Sequence, residues 1–157
     1  MIASLAEMMA RHARDGRVTW IGLRPARREA MELRARAEIT EAGIDGDRAR
    51  AGKRAVTLIQ AEHLPVIASL AGLDAVPPEL LRRNIVVEGL SLMAFRNARL
   101  RVGTALLRIE GPCAPCSRME AALGHGGYNA MRGHGGVCAS VIEPGFVAID
   151  DLVRPEA

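Results

Sequence analysis

Short runs of β-branched and apolar residues, broken by glycine, proline or clustered charge, set the pattern of this chain. Residues 18–23 (Val, Thr, Trp, Ile, Gly, Leu) read as a first strand that ends in the Arg24-Pro25 turn. Over residues 31–39 apolar and charged side chains alternate, which suits a strand with one wet face. Residues 41–53 carry Gly43, Gly46, Gly52 and dense charge and read as a loop, and residues 55–59 then form a buried strand. Residues 85–89 make another strand, and residues 98–102 and 104–110 form a hairpin around Gly103. Two last strands, 137–142 and 146–153, flank Pro144-Gly145.

Helical spacing is confined to short pieces. Residues 1–14 place Ile2, Leu5, Met8 and Met9 on one face, which reads as core packing, and Asp15-Gly16 closes the helix. Residues 61–70 tolerate Pro65 in a first turn, residues 77–81 begin another turn, and residues 115–123 turn Met119, Ala122 and Leu123 inward. Many strands with few helices predict a mainly β, barrel-like domain rather than a doubly wound sheet. The expected layout is an N-terminal helix over 1–16, a barrel over 17–153 and a tail over 154–157.

Composition narrows the function. A length of 157 residues suits one domain with a real core. No apolar run approaches the roughly 18 residues of a membrane span, and Arg11 and Arg14 follow the first apolar stretch instead of preceding it, unlike a secretory signal. A cytoplasmic protein with no membrane contact is expected. The three cysteines, an odd number, point to reduced thiols rather than a disulfide framework. Net charge is a modest +3, and every basic side chain except Lys53 is arginine, the side chain that clamps phosphate or carboxylate bidentately. Aromatics make up only 3% of the chain, too few for a base-stacking surface, so nucleic acid is not the expected partner.

Candidate chemistry concentrates between Gly111 and Gly136. A thiol becomes a nucleophile or metal ligand when its pKa falls, and a helix start or a nearby cation lowers it. With Pro115 in an initial helical turn, Cys116 falls in the first turn with Arg118 two residues on, which favours its thiolate. Cys113 is then a resolving thiol, a second ligand or a small buried residue. Rival readings are a zinc site completed by His125 and His134, a thioredoxin-like redox pair, and two inert packed thiols. Six glycines between 124 and 136 surround Tyr128, Asn129, Arg132 and His134, a composition that lets backbone N–H groups cradle an anion. Cys138 opens an apolar strand and reads as core. Three basic clusters lie beside strand ends, where barrel loops gather: Arg27-Arg28, Asp47-Arg48 with Lys53-Arg54, and Arg82-Arg83-Asn84. They predict an anionic small molecule as ligand.

In order and spacing these segments resemble the MOSC family, the domain named after the C-terminal part of the molybdenum-cofactor sulfurase. The resemblance rests on residues 18–25, on Gly46-Asp47-Arg48 with the run 52–59, on residues 82–89, and on 111–116 followed by His134-Gly135-Gly136. It implies a MOSC-like β-barrel with a few short helices, and it implies that Cys116 carries sulfur as a persulfide or ligates molybdenum of a bound molybdopterin. By position, Arg48, Lys53, Arg54, Arg83 and Asn84 would line that pocket, and Arg118, Arg132 and His134 join them as candidates from the cysteine segment. A sulfur donor or a redox partner protein is the implied partner, because no sulfurase domain precedes the barrel in this sequence. The alternative activity implied is molybdenum-dependent reduction of N-hydroxylated compounds. Where the family carries Gly-Asp before its last strand this chain has Asp150-Asp151, so a different turn is expected there.

Overall fold

The computed structural model describes residues 2–156. Its strands are β1 (Gly16–Leu23), β2 (Glu32–Leu33), β3 (Arg36–Thr40), β4 (Gly43–Ile44), β5 (Val56–Gln60), β6 (Ile85–Glu88), β7 (Arg99–Val102), β8 (Ala105–Pro112), β9 (Val137–Glu143), β10 (Gly145–Ala148) and β11 (Leu152–Pro155). Seven of them close a barrel in the order β11-β7-β8-β9-β5-β6-β1, with β1 returning to β11 through the pairs Gly16–Val153 and Arg17–Leu152. Neighbours are antiparallel except β5 and β6, which run parallel and need a crossover. The helices α1 (Leu5–Met9), α2 (His63–Ala71), α3 (Pro78–Leu81), α4 (Ser117–Leu123) and α5 (Gly127–Met131) are all short, and α2 and α3 form that crossover. β2 extends β1, and β10, β3 and β4 make a second small sheet.

Strand alternation explains why residues 58–59 and 85–87 are apolar at every position. Leu58, Ile85 and Val87 point into the barrel with Val18, Ile21, Leu107 and Val137, whereas Ile59 and Val86 point outward. The outward residues are buried too, because Ile67, Leu81, Met119, Leu123 and Met131 from four of the helices cover that face. Among the described residues, no helix is long and apolar enough to cross a membrane.

The fold departs from the sequence expectations at four places. The N-terminal helix spans only Leu5–Met9, capped by reciprocal Ser4–Glu7 bonds, and its supposed core face is solvent-exposed, with Leu5 at 70% and Met9 at 67%. The segment is held instead by His12 stacking on Phe95 at 4.3 Å, and Met1 lies outside the described residues. The alternating run at 31–39 splits into β2, bound to β1, and β3, bound to β10, because the Arg34 amide bonds Ile21 O between them. Residues 146–153 split likewise into β10 and β11. Their turn holds Asp150 at φ 75°, the left-handed conformation in which glycine is strain-free, so the turn keeps a glycine-like shape despite its aspartate. Finally, Arg154 and Pro155 are part of β11, and Glu156 bonds Arg101 at 2.8 Å, while Ala157 lies outside the described residues.

Candidate functional site

At one end of the barrel the exit of β1, the loop before β5, the start of β6 and the exit of β8 surround a cavity of about 880 Å³. A buried polar staple assembles these segments. Asn84, fully buried, accepts from the Thr57 amide (3.0 Å) and hydroxyl (3.2 Å) and donates to Gly22 O and Asp47 Oδ1, both at 3.1 Å. Asp47 in turn accepts from the Arg24 amide (2.6 Å), the Arg24 guanidinium in a two-pronged pair (3.2 and 3.0 Å), and the Ala49 amide (2.9 Å). Burial pushes the Asp47 carboxyl up, but Arg24 and the two amides outweigh it and hold the group below the usual carboxylate range. Gly46-Asp47-Arg48 is therefore a structural hinge that aims Arg24 and its neighbours at the cavity.

Cations dominate the lining. Arg24, Arg27, Arg48 and Arg50 come from the first two segments, joined by Lys53, Arg54 and, beside Thr57, Arg83. The Arg48 pKa is pushed down, first by partial burial and then by repulsion from Arg24, Arg27, Arg82 and Arg118. Positive charge here is thus in excess of its compensation. Arg83 is 8% exposed, and its Nε donates to Gly135 O (2.8 Å) and its Nη1 to Leu81 O (3.2 Å). Its Nη2 is buried and has no hydrogen-bond partner among the described residues. A buried guanidinium N–H left open costs free energy unless something polar completes it.

The glycine-rich segment closes the wall. The Cys113 amide donates to Gly136 O at 2.8 Å. A Cβ on Gly135 would meet Cys113 O at 2.9 Å and Arg83 Nη2 at 3.4 Å, and one on Gly136 would collide with Leu58 O, so the backbone needs glycine to approach this closely. Cys113, 3% exposed, lines the cavity. Its thiol is pushed down to about 6, mainly by a hydrogen bond with Cys138 and, against burial, by the guanidiniums of Arg83, Arg54 and Arg24. Cys138 is pushed up by the same contact and by burial, so Cys113 is the more acidic thiol of the pair.

Several sequence-based expectations meet this geometry differently. Arg48, Lys53, Arg54 and Arg83 converge on the cavity. Asn84 does not; its amide is spent on the staple behind the wall. Cys116 is exposed, lines neither this cavity nor its neighbour, and is the N-cap of α4 with extended backbone (φ −122°, ψ 174°) instead of lying in the first turn. Pro115 accordingly stays outside the helix. Arg118 adds to the field on Arg48 and Arg82 from beyond the lining. Arg132 borders a second cavity of about 290 Å³, mostly apolar, which shares Cys113 with the first. His134 packs edge-on against His63 at 5.5 Å, away from both. Among the described residues no cluster of three or more His, Cys, Asp or Glu side chains is placed to hold a metal, so neither His125 nor His134 completes a zinc site. The sequence reading passed over Arg24, which looked like a turn, and Arg50. The signal for Arg24 was Asp47, an acid inside a basic cluster.

A family model described as MOSC domain matches residues 32–154. The chain is similar in structure to the YuaD protein of Bacillus subtilis, with a TM-score of 0.77 at 18% identity over 89% of this chain and 94% of that one. It is similar to YiiM of Escherichia coli (TM-score 0.68, 23% identity, 90% and 70% covered) and to YiiM of Geobacillus stearothermophilus (0.73, 15%, 90% and 75%). The comparison with curated proteins returned no match.

Proposed function

Because the chain belongs to the MOSC family, whose domain is associated with molybdenum-cofactor proteins, we propose that its cationic cavity binds molybdopterin or serves as a sulfur-carrier site for that cofactor. The observation that carries the reading is a cavity lined by seven basic side chains, Arg83 among them, whose wall also presents the Cys113 thiol. The residues fit such a group: a phosphate would draw on Arg48, Lys53 and Arg54, which line the cavity and have no carboxylate within 4.0 Å among the described residues. When bound, the metal would supply two-electron redox chemistry and a position for a sulfur ligand.

The chain's own contribution is a pair of thiols with different exposure. Cys113 faces the cavity with its charge held by arginines, and is the thiol suited to meet a ligand there. Cys116, three residues on and exposed, is the thiol suited to meet a donor protein. In sulfur carriage, a thiolate attacks the terminal sulfur of the donor's persulfide, the donor leaves as thiolate, and the acceptor becomes the persulfide. The test is elemental analysis, pterin detection and sulfane-sulfur assay on wild type, Cys113→Ser and Cys116→Ser from a molybdenum-competent host. Loss of loading in either variant is expected; unchanged loading in both would sink the reading.

A second reading is favoured by the smaller cavity. Its apolar wall of Met93, Pro112 and Pro115 meets the first cavity at Cys113, which suits a small substrate. That substrate would be an N-hydroxylated compound reduced with electrons from a partner protein. Molybdenum-loaded protein that gives no turnover with a reduced donor rules this reading out.

A further inference from the structure

We infer that the ligand of the larger cavity carries a chain of two or more phosphoryl groups rather than a single phosphate. The inference rests on the reading that this cavity holds an anion, but not on the anion belonging to a pterin.

Charge is the first argument. Of the seven basic side chains lining the cavity, Arg24 is neutralised by Asp47. Six remain, Arg27, Arg48, Arg50, Lys53, Arg54 and Arg83, and among the described residues no carboxylate lines the cavity. A phosphate monoester brings about −1.5 to −2 at neutral pH. It would leave most of that charge unbalanced, where Arg48 is already pushed down, first by partial burial and then by repulsion from neighbouring guanidiniums. Each added phosphoryl group brings roughly one further negative charge.

Placement is the second argument. Arg83 lies in the wall with Nη2 buried, whereas Arg27, Arg48, Arg50, Lys53 and Arg54 are exposed at the rim. A sphere of 880 Å³ is about 12 Å across, whereas a donor must lie within about 3 Å of the oxygen it bonds. A chain of phosphoryl groups meets donors spread over such a width more fully than one group does, with an inner group toward the Arg83 wall and outer groups on Arg48 and Arg50. Shape argues against a nucleic-acid backbone as the source: the charge lines a concavity, and the chain has a single Trp and a single Tyr for stacking.

The experiment is calorimetric titration of the purified full chain with inorganic phosphate, pyrophosphate and tripolyphosphate at matched ionic strength and pH. Pyrophosphate is expected to bind at least about tenfold more tightly than phosphate, and tripolyphosphate more tightly still. The double variant Arg48→Ser/Arg50→Ser changes only exposed side chains and is expected to melt with wild type; it should bind pyrophosphate no better than wild type binds phosphate. Equal affinity for phosphate and pyrophosphate, or discrimination that survives in the double variant, overturns the inference. So does a single-stranded oligonucleotide that displaces pyrophosphate with length-dependent affinity. Discrimination in protein that never acquires molybdenum or pterin would remove the cofactor reading alone. Protein that loads a monophosphorylated pterin and shows no discrimination would remove only the present inference.

Discussion

The inner wall and the outer rim of the cavity both carry arginine, yet their arginines behave differently. On the wall, Arg24 is 13% exposed at its side chain and paired with a fully buried Asp47, and Asn84 and Thr57 satisfy each other and their neighbours. On the rim, Arg48, Arg50, Lys53 and Arg54 are exposed and none pairs with a carboxylate among the described residues. Burial decides the role. A buried polar group must be bonded or it destabilises the fold, so the wall is architecture. An exposed guanidinium costs little to hold free, so the rim can remain available to a ligand. Arg83 is the exception, buried yet incompletely bonded, and so marks where wall becomes site.

Removing a wall residue should therefore cost stability, and removing a rim residue should cost only binding. Asn84→Ala deletes four side-chain hydrogen bonds and strands the Thr57 amide and Gly22 O. A loss of about 3 kcal/mol or more is expected, read as a fall in denaturation midpoint. Asp47→Asn comes next. It leaves Arg24 without its counter-charge and should cost about 3 kcal/mol. It should also change acid sensitivity. The folded Asp47 pKa lies below its unfolded value, so its contribution is present above the unfolded pKa and is lost as pH falls through the folded one. Wild type should lose stability over that acid range faster than Asp47→Asn does. An Arg48→Ser/Arg50→Ser protein that melts well below wild type would contradict the division of roles.

The two thiols give a smaller, spectroscopic contrast. With Cys116 changed to Ser, thiolate absorbance at neutral pH should report Cys113, with a midpoint near 6. Because its folded pKa is depressed from the usual value of about 8.5, its stabilising contribution is complete above that value and fades as pH drops towards 6. Cys113→Ser should abolish both the absorbance step and the slope. A midpoint near 8.5 in the Cys116→Ser protein would show that neither the Cys138 hydrogen bond nor the cavity cations hold Cys113 as thiolate.

The same division explains what could be read from the sequence. β1, β5, β6 and the β7–β8 hairpin were legible because β-branched runs bounded by turn residues specify strands locally. Arg48, Lys53, Arg54 and Arg83 were legible as basic residues at strand ends. Arg24 was not, because its meaning depends on Asp47, 23 residues away. α5 was hidden because Gly126 and Gly127 lower helix propensity, and packing of Met131 in the cluster that covers Ile59 and Val86 outweighs it. The role of Cys113 was obscured because Pro115 suggested a helix start two residues earlier than the chain makes it, and because Cys138 reaches Cys113 only across the β8–β9 pairing.

The smallest expected effect lies far from the cavity, at the turn between β10 and β11. Asp150 occupies φ 75° with its side chain 74% exposed and only a loose 3.8 Å approach to Arg17. Its neighbour Asp151 does the bonding, accepting from the Ala148 amide at 2.8 Å. Asp150→Gly therefore removes left-handed strain of about 1 kcal/mol, less the added freedom of glycine in the unfolded chain, which is of similar size. The net change should be within about 0.5 kcal/mol, whereas Asp151→Gly, which deletes the bond that shapes the turn, should cost about 1 kcal/mol. Thermal melts of the two variants side by side check this. Equal losses would mean that the turn depends on the Asp150 carboxylate, and that its glycine-like backbone is not what lets aspartate stand there.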